Sequence, residues 1–453
     1  MGMTLLAFLV ALTTVIFVHE YGHYRAALWF KVRVLRFSIG FGRPIWRWQR
    51  VQPGLGLPTE FTICAVPLGG FIKMLDERDQ EVTLGDAPSA FNRQTLFARA
   101  CIVVAGPLAN LLLTFFLYAF IHWVGSQHAA AIIGTPLMAS VAETAGLRSG
   151  DLVQKFSVNP QEWKTVQSMD HLRGLVNEAS LDQHDFQLEV LSSKSLAHRV
   201  VDISVAGWAD DGRRSAMSQM GITGAFTKPE VIKVLQSGPA AKAGLLAGDL
   251  VLKVDGLVVN DAQQLIQLIR ASTDAQLWEV QSSTGRVRSF SIRPEFRETE
   301  GKKIAKIDAV IGSDPDMVWV QHGPISGLGL AFDTLLAQSK MTIVAVGKLV
   351  TTSSGWQQVS GPLTMAEYAG KTAEQGWRPF IQFLALISLS IGLLNLLPVP
   401  MLDGGHLMYY LWEFVMGSPP SRLWLERLQV IGLSVLALMM FTALFNDVLR
   451  WLT

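Results

Sequence analysis

A chain of 453 residues is too long for one ordinary domain, so several parts are expected. Half of its residues are hydrophobic and only 17% are charged, which indicates membrane-spanning segments. The net charge of +1, without basic tracts, argues against nucleic acid as a partner. Two cysteines, Cys64 and Cys101, suggest neither a disulfide scaffold nor a cysteine-based zinc site.

The first predicted element is an apolar helix that ends in FVHEYGH at residues 17–23. We take residues 1–30 as a retained first span, because the start of the chain lacks the positive region of a signal peptide. His19 and His23 lie one helical turn apart on the same face, and Glu20 flanks that face. Two imidazoles at this spacing can hold Zn²⁺, with the glutamate as general base on the metal-bound water. Ionisable groups at membrane depth are costly, which favours this functional interpretation over surface histidines.

The next segment, 31–98, is predicted to be a loop on the cytoplasmic side. Eleven Lys and Arg residues lie from Arg25 to Arg99, at the ends of the first two spans and in the loop between them, and none lies between 125 and 147. The positive-inside rule then places the 126–370 region on the opposite side, which is the periplasm in a bacterium. Within the loop, FTICAVPLGGFIKML at 61–75 is β-rich. It predicts either a strand edge that clamps an extended substrate or an ordinary packed hairpin.

After the second span, 99–125, the chain becomes more polar and repeats itself. The sequence AETAGLRSGDLVQKF at 142–156 returns as AAKAGLLAGDLVLKV at 240–254. In the second copy a strand, a turn at Asp255–Gly256 and an amphipathic helix follow. A repeat at this spacing indicates two small domains in tandem.

The copies resemble the circularly permuted PDZ domains of bacteria, the second most clearly, because the first lacks the usual glycine turn downstream. We assign them to 126–222 and 223–300. The resemblance implies binding of extended peptides by strand addition, although a rigid spacer with empty grooves is the alternative. The following segment, 301–379, is predicted to be a periplasmic linker. It contains an apolar stretch, 328–350, that is interrupted by charges and is expected to form an amphipathic surface helix rather than a fifth span.

The third span, 380–410, ends in NLLPVPMLDGGH, and a fourth span covers 428–449. His19 lies about 24 Å along the first helix, near the cytoplasmic edge of a hydrocarbon core about 30 Å thick. Asp403 follows the apolar run of the third span at a comparable depth, so it is the candidate for the third protein ligand that zinc requires. His406 is a rival ligand. Two prolines just before Asp403 are expected to break the helix, so that this carboxylate lies on an irregular stretch of backbone.

Together, HEYGH in an early span, NLLPVPMLDGGH in a late span and two PDZ-like copies between them resemble the site-2 protease family over essentially the whole chain. The resemblance implies a polytopic α-helical membrane protein of about four spans, with a membrane-associated β-loop and two inserted PDZ-like (mixed α/β) domains. It implies His19, His23 and Asp403 as zinc ligands and Glu20 as catalytic base. The residues implied in substrate binding are Asn395, Pro398 and Pro400 of the late motif and Gly69, Gly70, Phe71 and Ile72 of the β-loop.

The same resemblance implies an intramembrane zinc endopeptidase of the bacterial inner membrane. Its expected substrates are single-pass membrane proteins, namely an anti-sigma factor after a first cut and remnant signal peptides. The PDZ pair is expected to gate access to the site. The alternative is a membrane-anchored PDZ adaptor with a structural zinc site, which an intact Glu20 disfavours because a structural site needs no base.

Overall fold

The computed structural model describes residues 2–52, 55–78, 81–83, 85–193, 195–208, 215–299, 302–351 and 361–452. The chain divides into two compact units. The first unit combines residues 1–125 with 321–453, and the second comprises 126–320. The longest stretches outside the described residues are 209–214 in the first PDZ-like copy and 352–360 in the predicted linker.

The helices and strands, in chain order, have the following bounds. The helices are α1 Gly2–Trp29, α2 Leu96–Val124, α3 Val141–Thr144, α4 Met169–Leu181, α5 Ala216–Met220, α6 Pro239–Lys242, α7 Ala262–Ala271, α8 Pro324–Thr351, α9 Pro362–Gln375, α10 Trp377–Asn395, α11 Asp403–Met416 and α12 Arg422–Leu452. The strands are β1 Val34–Val51, β2 Pro58–Met74, β3 Ser126–Ala129, β4 Leu152–Asn159, β5 Glu162–Thr165, β6 Phe186–Leu191, β7 His198–Ile203, β8 Val231–Val234, β9 Leu250–Val254, β10 Leu257–Val258, β11 Gln276–Gln281, β12 Val287–Ile292, β13 Glu295–Thr299, β14 Lys302–Lys306, β15 Ala309–Ile311 and β16 Met317–Val320.

Four helices in the described part of the chain are long and apolar enough to cross a membrane. They are α1, α2, α10 and the Leu423–Leu449 portion of α12. Each overlaps a predicted span, although the third ends at Asn395 and not at 410. The expectation of a membrane protein with about four spans is confirmed. Helix α8 covers the predicted surface helix and, within the described residues, is not among these four.

The predicted β-loop is a hairpin of β1 and β2 in which β1 is paired on both sides. Phe37 of β1 lies opposite Phe61 on one side and opposite Ile72 on the other, because β2 bends around it. The segment 70–74 therefore has β1 on one side only in the described pairing. An edge of this kind leaves main-chain N–H and C=O groups free to pair with another chain.

The late motif turns the chain between α10 and α11. The last turn of α10 is closed by short-range bonds, Leu396 N–H to the Leu393 carbonyl and Leu397 N–H to the Leu394 carbonyl, both at 3.1 Å. The next residue, Pro398, has no N–H to continue the helix, and the residue before a proline disfavours the α region. Helix α10 consequently ends at Asn395, and a separate helix begins at Asp403.

The second unit holds two subdomains of the same design. Each has a four-stranded antiparallel sheet, in the order β5-β4-β6-β7 in the first and β10-β9-β11-β12 in the second. The amphipathic helices α4 and α7 bury their apolar faces against these sheets, in clusters that contain Leu172 and Leu265 respectively. The predicted turn is present: Asp255 and Gly256 both have positive φ between β9 and β10.

One polar detail repeats at equivalent positions of the two copies. Asp151 and Asp249 are almost fully buried, and each accepts a hydrogen bond from a loop N–H, that of Arg148 at 2.8 Å and of Leu246 at 2.9 Å. Each carboxylate also pairs with an arginine of the last sheet strand, Arg199 in the first copy and Arg288 at 2.6 Å in the second. The sequence repeat therefore encodes the same local structure twice.

Candidate metal centre

The centre is built where α1 and α2 pack closely. Gly22 on α1 faces the backbone of α2 so tightly that an added Cβ would lie 2.8 Å from the Ala109 Cβ and 2.9 Å from the Ala105 carbonyl carbon. Gly106 on α2 likewise leaves room for the ring of His23, because a Cβ at this position would lie 2.8 Å from the ring atom Cδ2 and closer still to Nε2. Small residues at these positions let the two helices approach.

Three side chains converge at this contact. His19 Nε2 lies 3.1 Å from Asp403 Oδ2, and His23 Nε2 lies 3.5 Å from the same oxygen. The two Nε2 atoms are 3.2 Å apart. A tetrahedral Zn²⁺ with bonds of about 2.0–2.2 Å separates its ligand atoms by about 3.3–3.6 Å. The three atoms are therefore already spaced as three corners of such a tetrahedron, and the donor set of two imidazoles and one carboxylate suits zinc.

Both imidazoles are held from behind by α2. His23 Nδ1 lies 2.8 Å from the Ile102 carbonyl oxygen, which can accept a hydrogen bond from the Nδ1–H group. The lone pair of Nε2 then remains available to bind the metal. His19 Nδ1 lies 3.3 Å from the side-chain amide of Asn110. Such contacts orient the ring of a metal-ligating histidine. Because both rings are also buried, their Nε2 atoms have a fixed direction.

The third corner, Asp403, is the first residue of α11 and is positioned by that helix. Glu413, further along α11, forms an ion pair with Arg99 of α2 at 2.7 Å. The Arg99 guanidinium also lies 5.1 Å from the centre of the Tyr410 ring. Both members of the ion pair are largely buried, and losing one partner of such a pair is costly. Helix α11 is thereby attached to the helix that supports both histidines.

A cavity of about 480 Å³ opens on the three convergent residues. Glu20 lines it beside the histidines, and Asn395 lines it from the end of α10. The edge segment of β2 forms another wall through Gly69, Gly70, Phe71 and Ile72. Gly70 is required for this approach, since a Cβ there would lie 3.1 Å from the Glu20 Cγ and 3.0 Å from the Ser38 carbonyl oxygen.

The structure brings most of the predicted site residues together. His19, His23 and Asp403 form the one cluster within the described residues that could hold a metal ion. The rival ligand His406 lines the cavity but is not part of this cluster. Pro398 and Pro400 are not among the described residues that line the cavity, and they act on the path of the chain instead. Sequence reasoning missed several apolar and aromatic walls, which are Ile16, Met74, Phe91, Val103, Ile391, Met401, Leu402 and Tyr410.

The chain is similar to known proteins along nearly its whole length. The family described as peptidase family M50 matches residues 7–440. A protein of Ralstonia nicotianae whose name assigns it to the zinc metalloproteases is 35% identical over 99% of this chain and 98% of its own length. The regulator of sigma-E protease RseP of Escherichia coli is 33% identical, with 98% of each chain covered.

These matches decide between the two interpretations of the sequence. The family shared with named zinc metalloproteases favours a protease over a peptide-capturing adaptor, and four candidate spans accompany it. The chain therefore belongs to peptidase family M50, the site-2 protease family, and is a bacterial membrane zinc metalloprotease.

Proposed function

We propose that this protein is an intramembrane endopeptidase that cuts the transmembrane segments of single-pass membrane proteins. The observation that carries the proposal is one cavity in which a zinc-spaced cluster, a neighbouring glutamate and an unpaired strand edge meet. The cluster and the glutamate belong to membrane-spanning and adjoining helices, so the chemistry lies at membrane depth.

The proposed zinc ligands are His19, His23 and Asp403. Zinc, when bound there, supplies Lewis-acid activation of water and of the scissile carbonyl. Glu20 is the proposed general base: it faces the same cavity and takes a proton from the attacking water, then passes it to the leaving amine. The contacts of the two imidazoles with the Ile102 carbonyl and the Asn110 amide of α2 keep both rings in a fixed orientation during this proton transfer.

Substrate binding requires a further step, because the peptide bonds of a transmembrane helix are hidden by their own hydrogen bonds. The edge at Gly70, Phe71 and Ile72, with Gly69 just before it, offers replacement main-chain partners, so a substrate segment can be held extended by strand addition. Asn395 lines the cavity from the other side and is placed to hydrogen-bond the extended backbone. Pro398 and Pro400 contribute by shaping the turn that presents Asn395 and Asp403.

We further propose an inner-membrane location with the active site towards the cytoplasm and both PDZ-like copies in the periplasm. The charge distribution of the loops supports this orientation. The PDZ-like pair is the proposed gate that admits substrates only after their outer domains are removed. The similarity to the regulator of sigma-E protease suggests an anti-sigma factor after a first cut and remnant signal peptides as substrates.

The experiment uses full-length protein in detergent or proteoliposomes, with a single-pass membrane substrate. Glu20→Gln is expected to keep about one zinc per chain and lose cleavage, because proton transfer alone is removed. Asp403→Ala is expected to lose most of the zinc. Full cleavage by Glu20→Gln would show that Glu20 is not the general base, and it would favour a structural role for the zinc cluster.

A further inference from the structure

Asn110 is a fully buried polar side chain within the candidate span α2. Polar groups at membrane depth are costly and are kept for function or for helix packing. The packing bonds at this position use its main chain: the Asn110 carbonyl accepts from Thr114 Oγ1 at 2.9 Å and from Ser388 Oγ at 2.8 Å. Helix packing therefore does not account for the choice of an amide side chain.

The amide faces a proposed zinc ligand. Its nitrogen lies 3.3 Å from His19 Nδ1, and its oxygen is buried with no hydrogen-bond partner within the described part of the chain. The two ends of an amide are nearly equal in shape, so the hydrogen-bond network decides which end faces the ring. Rotation of the amide brings the spare acceptor Oδ1 onto Nδ1 of His19, where it accepts the ring N–H.

We propose that Asn110 is the positioning residue of His19, an inference that rests on the proposed zinc ligand set. By accepting Nδ1–H, Asn110 holds the proton on that nitrogen and leaves the Nε2 lone pair facing the metal position. The Ile102 carbonyl has the same relation to His23, at 2.8 Å from its Nδ1. One face of α2 thus fixes both ligands, with a main-chain acceptor for one ring and a side-chain acceptor for the other.

The test compares zinc affinities of purified full-length variants by competition with a chromophoric chelator. Asn110→Leu keeps the approximate volume but removes the acceptor, and is expected to bind zinc about 10–100-fold more weakly. Asn110→Asp keeps an acceptor and is expected to stay within about threefold of the wild type. Matched controls are Thr114→Val and Ser388→Ala, which remove packing bonds around Asn110 without touching the amide and are expected to leave zinc affinity unchanged.

A second readout separates positioning from general destabilisation. The visible spectrum of the Co²⁺-substituted protein reports ligand geometry, and it is expected to change in Asn110→Leu but not in Asn110→Asp. Equal loss of affinity in both Asn110 variants, or in Asn110→Leu and Ser388→Ala alike, would overturn the positioning role. If Asn110→Leu does not fold, a tenfold or greater loss in folded Asn110→Asp overturns it.

His19→Ala distinguishes this inference from the proposal beneath it. Strong zinc loss in His19→Ala together with wild-type affinity in Asn110→Leu would refute the positioning role and leave the ligand set intact. Wild-type affinity in His19→Ala would refute both, because Asn110 would then have no ligand to position.

Discussion

Replacing Gly106 by alanine tests whether the close approach of α1 and α2 sets the metal site. The added Cβ would lie 2.8 Å from Cδ2 of His23 and closer to Nε2. Favourable non-bonded separations are about 3.5–4.0 Å, so the ring must retreat by about 1 Å. Metal sites tolerate changes in ligand distance of about 0.2 Å. The ring would consequently lose either its place at the zinc or its bond to the Ile102 carbonyl.

The expected result is a loss of zinc affinity of at least about 100-fold, or about 2.8 kcal/mol. Helix propensity alone predicts the opposite trend, because alanine stabilises a helix interior by about 1 kcal/mol relative to glycine. Gly329→Ala is the matched control: it also lies in a helix of the first unit, and its Cβ would meet no atom within 4 Å. Chelator competition measures the affinity, and thermal unfolding measures stability. Wild-type zinc affinity with raised stability in Gly106→Ala would refute the reasoning.

Two further predictions concern the substrate. Ile72→Pro is expected to abolish cleavage while zinc stays bound, since proline removes an N–H from the strand; Ile72→Val should cleave within about twofold of the wild type. Equal cleavage by the proline variant, measured on a helical membrane substrate, would exclude strand addition at this edge. Deleting 127–300 is expected to permit cleavage of substrates that retain their outer domains, because the proposed gate is removed. Loss of cleavage on every substrate by a folded, zinc-loaded deletion variant would contradict the gate and favour an obligatory peptide receptor.

The sequence was sufficient for the parts of the fold that depend on local pattern. Apolar length predicts the four spans, and the internal repeat predicts two subdomains that share even the pairing of a buried Asp with an Arg. The pairing of β1 on both sides could not be predicted in this way. This pairing depends on β2 bending around Phe37, and that bend is determined by tertiary packing rather than by the residues of either strand alone.

The supports of the metal site illustrate a different limit. The Ile102 carbonyl carries no side-chain signal, so its contact with His23 follows only from the register of α1 against α2. Asn110 did carry a signal, because it is a polar residue inside an apolar run. Polar groups at membrane depth usually have a function, and this rule was used above to interpret HEYGH. It applies equally to Asn110. The geometry adds the partner that the sequence could not supply.

Asp403 lies near the histidines because the chain turns between α10 and α11, and not because one continuous helix carries it to that depth. Helix α10 ends at Asn395, and its rise from Trp377 is about 27 Å, close to the rise of about 25 Å from Gly2 to His19. The residues after Asn395 add little further depth, because the chain turns back on itself. A Cβ on Gly405 would lie 3.0 Å from the Pro400 Cα, which shows how tightly the start of α11 is folded against the turn. The prolines and glycines of the late motif therefore keep Asp403 close to the level at which α10 ends, where it meets His19 and His23.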